Sequence, residues 1–418
     1  MKTVALIETN HGNGHHLTYL RLFTKCLLEL GHRVMAFYPQ PDELTTWTKL
    51  NCAEHSERLW TFKLDKAKRR KIPLIGLAPQ PVAVIERWRH AASAICQASE
   101  KIGFSPDLVF FNWLDNYLSH YLPHPIIDYV FPYNWSGIYF RPGILRFGER
   151  SLTGLGEPLA HYAVAKSSRC QALAMLNEEL VEALQQELRK PVIAFPDITD
   201  ETPPEPNFSL AKEIREKAGS RKVIGLIGSL SKRKGILTLL ESAQQSTQEN
   251  WFFVLAGALV ENLFHQDFDR RLTDDYRRVK QFIESPPPNC FFYLESIPDD
   301  GKFNAVIDAC DVLFAAYENF PYSSNLLTKA AVFKKPIIVS EGFCMAERVK
   351  KFRFGVAIPE GDVSKCIQAL HYLCDQPDAV GTKLNPDFDG YKSLHSREQI
   401  RHVFELILSR IDAQLMVA

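Results

Sequence analysis

Two stretches hold residues of the right type and spacing to grip an anion. In GSLSKRKGIL, residues 228 to 237, Lys232, Arg233 and Lys234 stand between an apolar run ending at Ile227 and the helix-like ILTLLESAQQ. Strand, glycine, short basic loop, glycine, helix is the order that sets cations at the carboxyl end of a parallel sheet, where a diphosphate can be held. Read alone, a basic run is a solvated surface. The second stretch, YENFPYSSNLLTKAAVFKKPIIVS at 317 to 340, puts Pro321, Ser323, Ser324 and Asn325 after the apolar run Val312 to Ala316. A helix starting near Ser323 or Ser324 presents N–H groups carrying about half a positive charge. The serine hydroxyls either cap that helix or bond a phosphate oxygen. A third loop, ETNHGNGHHLTYL at 8 to 20, uses Gly12 and Gly14 to turn sharply before a helix that opens near His15 and His16. It lacks the dinucleotide pattern G-x-G-x-x-G, so no NAD site is expected, and by itself it is also a plain strand-to-helix turn.

These loops must be carried by strands. Thr3 to Glu8 reads as a buried strand, Leu17, Leu20, Phe23, Leu27 and Leu30 recur at helical spacing, and Val34 to Tyr38 is a second strand. Strand, helix, strand with a right-handed crossover makes a parallel sheet. Further strands are expected at Asp107 to Phe111 and Pro191 to Phe195, with helices over Val82 to Lys101 and Ser168 to Leu188. FPDITDETPPEPNF, rich in proline and acid, cannot continue a helix or a central strand, and residues 196 to 207 are read as an interdomain linker. Beyond it the alternation restarts, with strands at 222 to 227, 251 to 256, 290 to 293, 312 to 316 and 336 to 340. The expected architecture is α/β, two tandem doubly wound Rossmann-like domains facing a central cleft, over 1 to 195 and 208 to 390. The helical tail 391 to 418 is expected to return to the first domain.

At 418 residues the chain exceeds a single core of about 150. It carries 49 basic and 49 acidic residues, a balance that argues against nucleic-acid binding as its main task. MKTVALIETN is too short an apolar run for a signal-peptide core, and no stretch reaches the roughly 20 apolar residues of a membrane span. A cytoplasmic protein is expected. Nine cysteines without a C-x-x-C pair make neither a disulfide framework nor a zinc site.

Taken together, LIGSLSKRKGILTLLESA, FFVLAG, IDACDVLFAAYE, SSNLLTKAAVFKKPIIVSEGF and ERVKKFRFGVAIPEGD resemble the donor domain of GT-B glycosyltransferases, specifically the retaining family four, glycosyl transferases group 1. NHGNGHHLTYL and LELGHRV are similar to that family's amino-terminal glycine loop and second strand. The resemblance implies a nucleotide-sugar donor as substrate and no cofactor. Lys234 would bind the donor diphosphate with Arg233 beside it, Ser323, Ser324, Asn325 and Leu326 would present helix amides to the distal phosphate, and Gly12 and Gly14 would approach it. Glu347 falls at a glutamate frequent in the family.

Three departures stand out. Ser229 replaces the usual arginine, Lys329 occupies the second position of a glutamate pair for which Glu318 is the first candidate, and the family's cleft histidine has no counterpart. FFNWLDNYL offers Asn112 and Asp115 instead. The catalytic expectation is therefore Lys234, Glu318 and Asp115, and the acceptor-side expectation His15, His16, Asn112 and Trp135. The D-x-D pairs Asp267 to Asp269 and Asp387 to Asp389 lie in polar stretches and are read as coincidence, so no metal is expected. KAKRRK, 66 to 71, is either a solvated loop or a peripheral contact with an anionic inner membrane face carrying a lipid-linked acceptor. The expected reaction moves a sugar to a saccharide or lipid-linked acceptor with retention. The alternatives are a non-catalytic paralogue that binds a nucleotide sugar or partner protein, and a nucleotide-sugar epimerase.

Overall fold

The computed structural model describes residues 1–11, 15–69, 71–72, 76–77, 79–118, 122–141, 166–260, 274–374 and 384–415. The chain divides into two compact units, Met1–Pro196 with Ser396–Ala418, and Asp197–His395.

In the first unit, β1 (Thr3–Ile7), α1 (His16–Glu29), β2 (Arg33–Tyr38), α2 (Pro41–Asn51) and β3 (Leu59–Lys63) are followed by a short hairpin, β4 (Lys71–Ile72) and β5 (Gly76–Leu77). Next come α3 (Gln80–Ile102), β6 (Leu108–Phe111), α4 (His124–Val130), β7 (Trp135–Ile138), β8 (Cys170–Met175), α5 (Val181–Leu188) and β9 (Val192–Ala194). Among the described residues the sheet runs β3-β2-β1-β6-β7-β8-β9, all pairs parallel. Both faces are covered, so the strands are apolar throughout: Ala5, Met35, Val109 and Phe111 pack with Trp88 and Ile95 of α3 on one side. On the other, Phe23 of α1 meets Phe110 at 5.8 Å.

The second unit holds α6 (Ser209–Ala218), β10 (Lys222–Ile227), α7 (Ile236–Gln245), β11 (Trp251–Ala256), α8 (Asp274–Glu284), β12 (Cys290–Tyr293) and α9 (Gly301–Asp308). It continues with β13 (Val312–Ala315), α10 (Leu326–Val332), β14 (Ile337–Ser340), α11 (Cys344–Phe352), β15 (Gly355–Ile358), α12 (Val363–Cys374) and α13 (Phe388–Leu394). Its parallel sheet runs β12-β11-β10-β13-β14-β15. The last helix, α14 (Arg397–Leu415), belongs to the first unit, where Phe404 lies 5.7 Å from Phe23 and 5.0 Å from Phe110.

Several expectations are displaced. The segment 168 to 188, expected as one helix, is strand β8, a turn capped by Asn177, and the shorter α5. CQALAM is buried on both faces, and a short continuous apolar run lacks the alternation that would have distinguished strand from helix. The stretch read as linker begins inside the second unit, with Asp197, Ile198 and Thr199 buried. The tail breaks at His395, and α13 stays with the second unit through the buried Tyr391. Among the described residues no helix is long and apolar enough to cross a membrane.

The cysteines are free, and burial pushes Cys26, Cys170, Cys290 and Cys310 up to about 12. Cys96 is exposed on α3, its thiol raised by the charge of Glu100, to which it donates at 3.6 Å. A thiol-reactive dye at neutral pH should label Cys96 first in the native chain, and Glu100→Gln should speed that labelling. Mass mapping that finds a buried cysteine labelled before Cys96 would contradict this packing.

Candidate functional site

The chemistry collects at the carboxyl edge of the second unit's sheet. After β10 the chain turns through Gly228, where φ is 107°, and forms a turn of 3-10 helix over Lys232–Lys234 before α7. Gly235, with φ at 68°, closes that turn. A Cβ there would stand 2.3 Å from the carbonyl oxygen of Ala316, so only glycine lets the basic loop lie against the end of β13. The backbone N–H of Glu318 donates to the carbonyl of Arg233 at 2.8 Å and locks the two loops together.

Lys234 is thereby aimed along the sheet edge. Its Nζ donates to the Tyr317 hydroxyl at 2.5 Å and lies 3.9 Å from that ring's centroid, and the same hydroxyl is 3.4 Å from Ser324 Oγ. Lysine, tyrosine and serine thus form one chain of polar contacts. Burial pushes the Lys234 ammonium below its ordinary value, against the pull of Tyr317, with Arg233 adding to the drop. Burial alone would raise the Tyr317 phenol, but the Lys234 charge and its hydrogen bond hold it below the usual range. Arg233 lies over the rings of Phe320 at 4.2 Å and Tyr317 at 5.3 Å, so both cations of the loop rest on the Tyr317 ring. Tyr317 is the residue that the sequence reading missed; its place one residue beyond the apolar run was the available signal.

The serine loop divides its labour. Ser324 accepts the N–H of Leu326 at 3.5 Å and gives its carbonyl to Leu327 at 3.0 Å, capping α10. Asn325 is the N-cap residue, and both it and Leu326 are buried. Ser323 turns the other way. Its hydroxyl donates to Asp197 and accepts from Arg348 at 2.5 Å, inside a buried pair whose carboxylate and guanidinium stand 3.7 Å apart. The Ser323 side chain is committed to that pair, so only its backbone remains for an anion.

The other expected residues fall as follows. Ser229 is exposed on the first loop, and Lys232 is paired with Asp275 at 2.5 Å. Glu318 is half-buried. Burial raises its carboxyl, Lys232 opposes this, and Asp275 and Glu360 reinforce it. Glu347 is exposed in the first turn of α11. Lys329, at the second glutamate position, is fully buried and bonds Asp299 at 3.0 Å and Asn304 Oδ1 at 2.7 Å, a role in packing. Asp387 caps α13 by accepting the Gly390 N–H at 2.9 Å. Gly12, Gly14 and the Asp267 to Asp269 pair lie outside the described residues.

In the first unit, Glu8 ends β1 with its carboxylate buried. It accepts the backbone and side-chain N–H of Asn10 at 2.8 and 3.0 Å and meets His16 Nδ1 at 3.1 Å. The His16 ring lies 5.0 Å from Trp113, itself stacked on Phe140 at 4.1 Å. His15 is 6.2 Å from Tyr19. Asp115 accepts the backbone N–H groups of Phe140 and Arg141 at 2.9 and 2.7 Å, and burial raises its carboxyl in spite of them. Its oxygens are occupied in holding that segment, which weighs against a catalytic duty. Asn112 is buried at the end of β6, and neither atom of its amide has a hydrogen-bond partner among the described residues. Trp135 is a correction: it lies fully buried in the core 5.1 Å from Trp88 and offers no face to an acceptor.

The comparisons follow this division. Residues 208–385 match the family model described as glycosyl transferases group 1. No curated protein sequence matches the chain. Among solved structures, the chain is similar to sucrose-phosphate synthase from Thermosynechococcus elongatus, at 17% identity with a TM-score of 0.66, covering 99% of this chain and 100% of that one. It is also similar to Anabaena HepE in complex with UDP and glucose, at 13% identity with a TM-score of 0.65, covering 98% and 100%. A putative UDP-N-acetylglucosamine 2-epimerase from Listeria monocytogenes has a TM-score of 0.56 at 10% identity, covering 96% and 94%. The chain therefore has the GT-B fold, and its residues 208–385 match the model of the glycosyl transferases group 1 family.

Proposed function

We propose that the protein transfers a sugar from a nucleotide-diphosphate sugar to a saccharide or lipid-linked acceptor, in the cytoplasm, with retention of configuration and without a metal. The observation that carries this reading is the chain of contacts Lys234, Tyr317 and Ser324 at the carboxyl edge of the second sheet. As the bond from the anomeric carbon to the diphosphate oxygen breaks, negative charge grows on that oxygen. A fixed ammonium, the Arg233 guanidinium and the positive amino end of α10 stabilise that charge more than the ground state, which is what lowers a barrier. The acceptor oxygen forms the new bond on the same face, and its proton passes to the departing phosphate oxygen. Nucleotide diphosphate and glycosylated acceptor are the products.

A thermal-shift screen of nucleotide diphosphates and their sugars tests the donor class, because a ligand that binds only the folded chain raises the midpoint by mass action. UDP is the first to try, given the Anabaena protein in complex with it. No rise with any of them sinks the reading. Product analysis then separates reactions: an epimerase changes the sugar with no acceptor present, and a binding-only paralogue yields no product at all.

A further inference from the structure

Two hydroxyls meet one ammonium at the edge of the second sheet, and their protons can be counted. Lys234 Nζ has only hydrogens to give, so the Tyr317 oxygen accepts at 2.5 Å. Tyr317 and Ser324 carry one hydroxyl proton each, and their 3.4 Å contact uses only one of the two. Tyr317 is 2% exposed, and among the described residues the Ser324 oxygen is the acceptor beside its O–H. Pointed elsewhere, that proton would be buried and unmatched, which costs free energy. Ser324 Oγ also accepts the Leu326 N–H at 3.5 Å. With its oxygen receiving twice, the serine O–H is the proton left over, and the half-buried Ser324 turns it outward.

Both hydroxyl carriers are fixed before any ligand arrives. The Ser340 hydroxyl donates to the Tyr317 carbonyl at 2.6 Å, and Phe320 packs edge-on against the Tyr317 ring with centroids 5.3 Å apart. One residue before Ser324, the Ser323 hydroxyl is bound between Asp197 and Arg348. The donors therefore run one way, from ammonium to phenol to serine. Burial would raise the Tyr317 phenol, but the Lys234 charge and hydrogen bond outweigh it, and a more acidic phenol is a stronger donor. Each link polarises the next.

We infer that the Ser324 hydroxyl is a catalytic donor to the departing diphosphate, and that Tyr317 is the positioning residue that turns its proton outward. The inference rests on the glycosyl-transfer reading above, which puts a growing oxyanion at this edge. No proton changes owner: the serine keeps its hydrogen, and the contact tightens as the bond to the anomeric carbon breaks. A serine that only capped a helix would use its oxygen and leave the hydrogen idle.

The test is calorimetric titration of the full chain with UDP, ADP and GDP, the tightest of which is carried through the variants. Ser324→Ala should bind it about tenfold more weakly, the loss of one charge-assisted contact, whereas Ser324→Thr keeps the hydroxyl and should stay within about twofold of wild type. Within the Tyr317→Phe chain, Ser324→Ala should cost less than it does in wild type, because the serine proton has lost its order. A pH series guards against a variant that merely unfolds. Burial lowers the Lys234 value, Tyr317 pulls it up and Arg233 opposes that pull, so without the phenol oxygen the ammonium is lost sooner as pH rises. The alkaline fall in nucleotide affinity should therefore move to lower pH in Tyr317→Phe. Equal affinity in wild type and Ser324→Ala overturns the serine donor and leaves the donor-site reading standing. A Ser324→Ala cost that is the same with and without the Tyr317 hydroxyl, or a pH profile that Tyr317→Phe does not move, overturns the positioning role. If wild type binds none of the three nucleotides, the donor-site reading fails and takes this inference with it.

Discussion

Lys234→Ala is expected to lower turnover by about a hundredfold, the usual cost of removing one preorganised donor from a developing oxyanion. The lysine is held by Tyr317 at 2.5 Å, so losing the ammonium removes both the charge and the anchor of the contact chain to Ser324. Tyr317→Phe keeps the aromatic face over which the ammonium sits and removes only the hydroxyl's contacts with Lys234 and Ser324, leaving the charge in place, so its loss should stay below about tenfold. The contrast between the two variants separates charge from positioning. Because burial lowers the Lys234 value, diphosphate binding should weaken, as pH rises, earlier than an ordinary lysine would allow. The sign follows from the ammonium being the binding form: it is complete below the lowered pKa and lost above it. Unchanged turnover and unchanged diphosphate affinity in Lys234→Ala would remove this lysine from the site.

The second large effect concerns stability. Asp197 and Arg348 are almost wholly withdrawn from water, with Ser323 between them and the Thr328 hydroxyl donating to the Asp197 carbonyl. Asp197→Ala leaves a buried guanidinium without its carboxylate and should cost about 3–5 kcal/mol in urea unfolding. The double replacement Asp197→Leu/Arg348→Met removes both charges and should recover much of that loss, because two desolvated ions repay their hydration poorly. If the single and double variants unfold at the same urea concentration, the pair is not what holds the Ser323 loop.

Much of the fold was legible because buried parallel strands announce themselves as apolar runs. Thr3 to Ile7, Leu108 to Phe111, Lys222 to Ile227, Trp251 to Ala256 and Ile337 to Ser340 stand near their expected places. The strands at Leu59–Lys63, Trp135–Ile138 and Gly355–Ile358 were not anticipated, since each is short and mixes polar or small residues into its run. The basic loop and the start of α10 could be read from glycine and serine spacing, for local backbone demands dictate those residue types. What Tyr317 touches could not. Its hydroxyl reaches Lys234 only because β10 and β13 are neighbours in register, with Ile224 opposite Val312. Asp115 and Trp135 misled for a related reason: a carboxylate or an indole looks available until tertiary packing shows it bound to amides or enclosed by other rings.

The two ends of the second unit are fastened to each other, the Asp197 backbone N–H donating to His395 Nδ1 at 3.1 Å, while α14 returns to seat Phe404 among Phe23, Phe110 and Phe195. During synthesis on the ribosome, residues 197 to 395 emerge as a complete module before the earlier sheet has received its final helix. The nascent first unit must wait with an aromatic socket open to water, a window in which a chaperone would find its target.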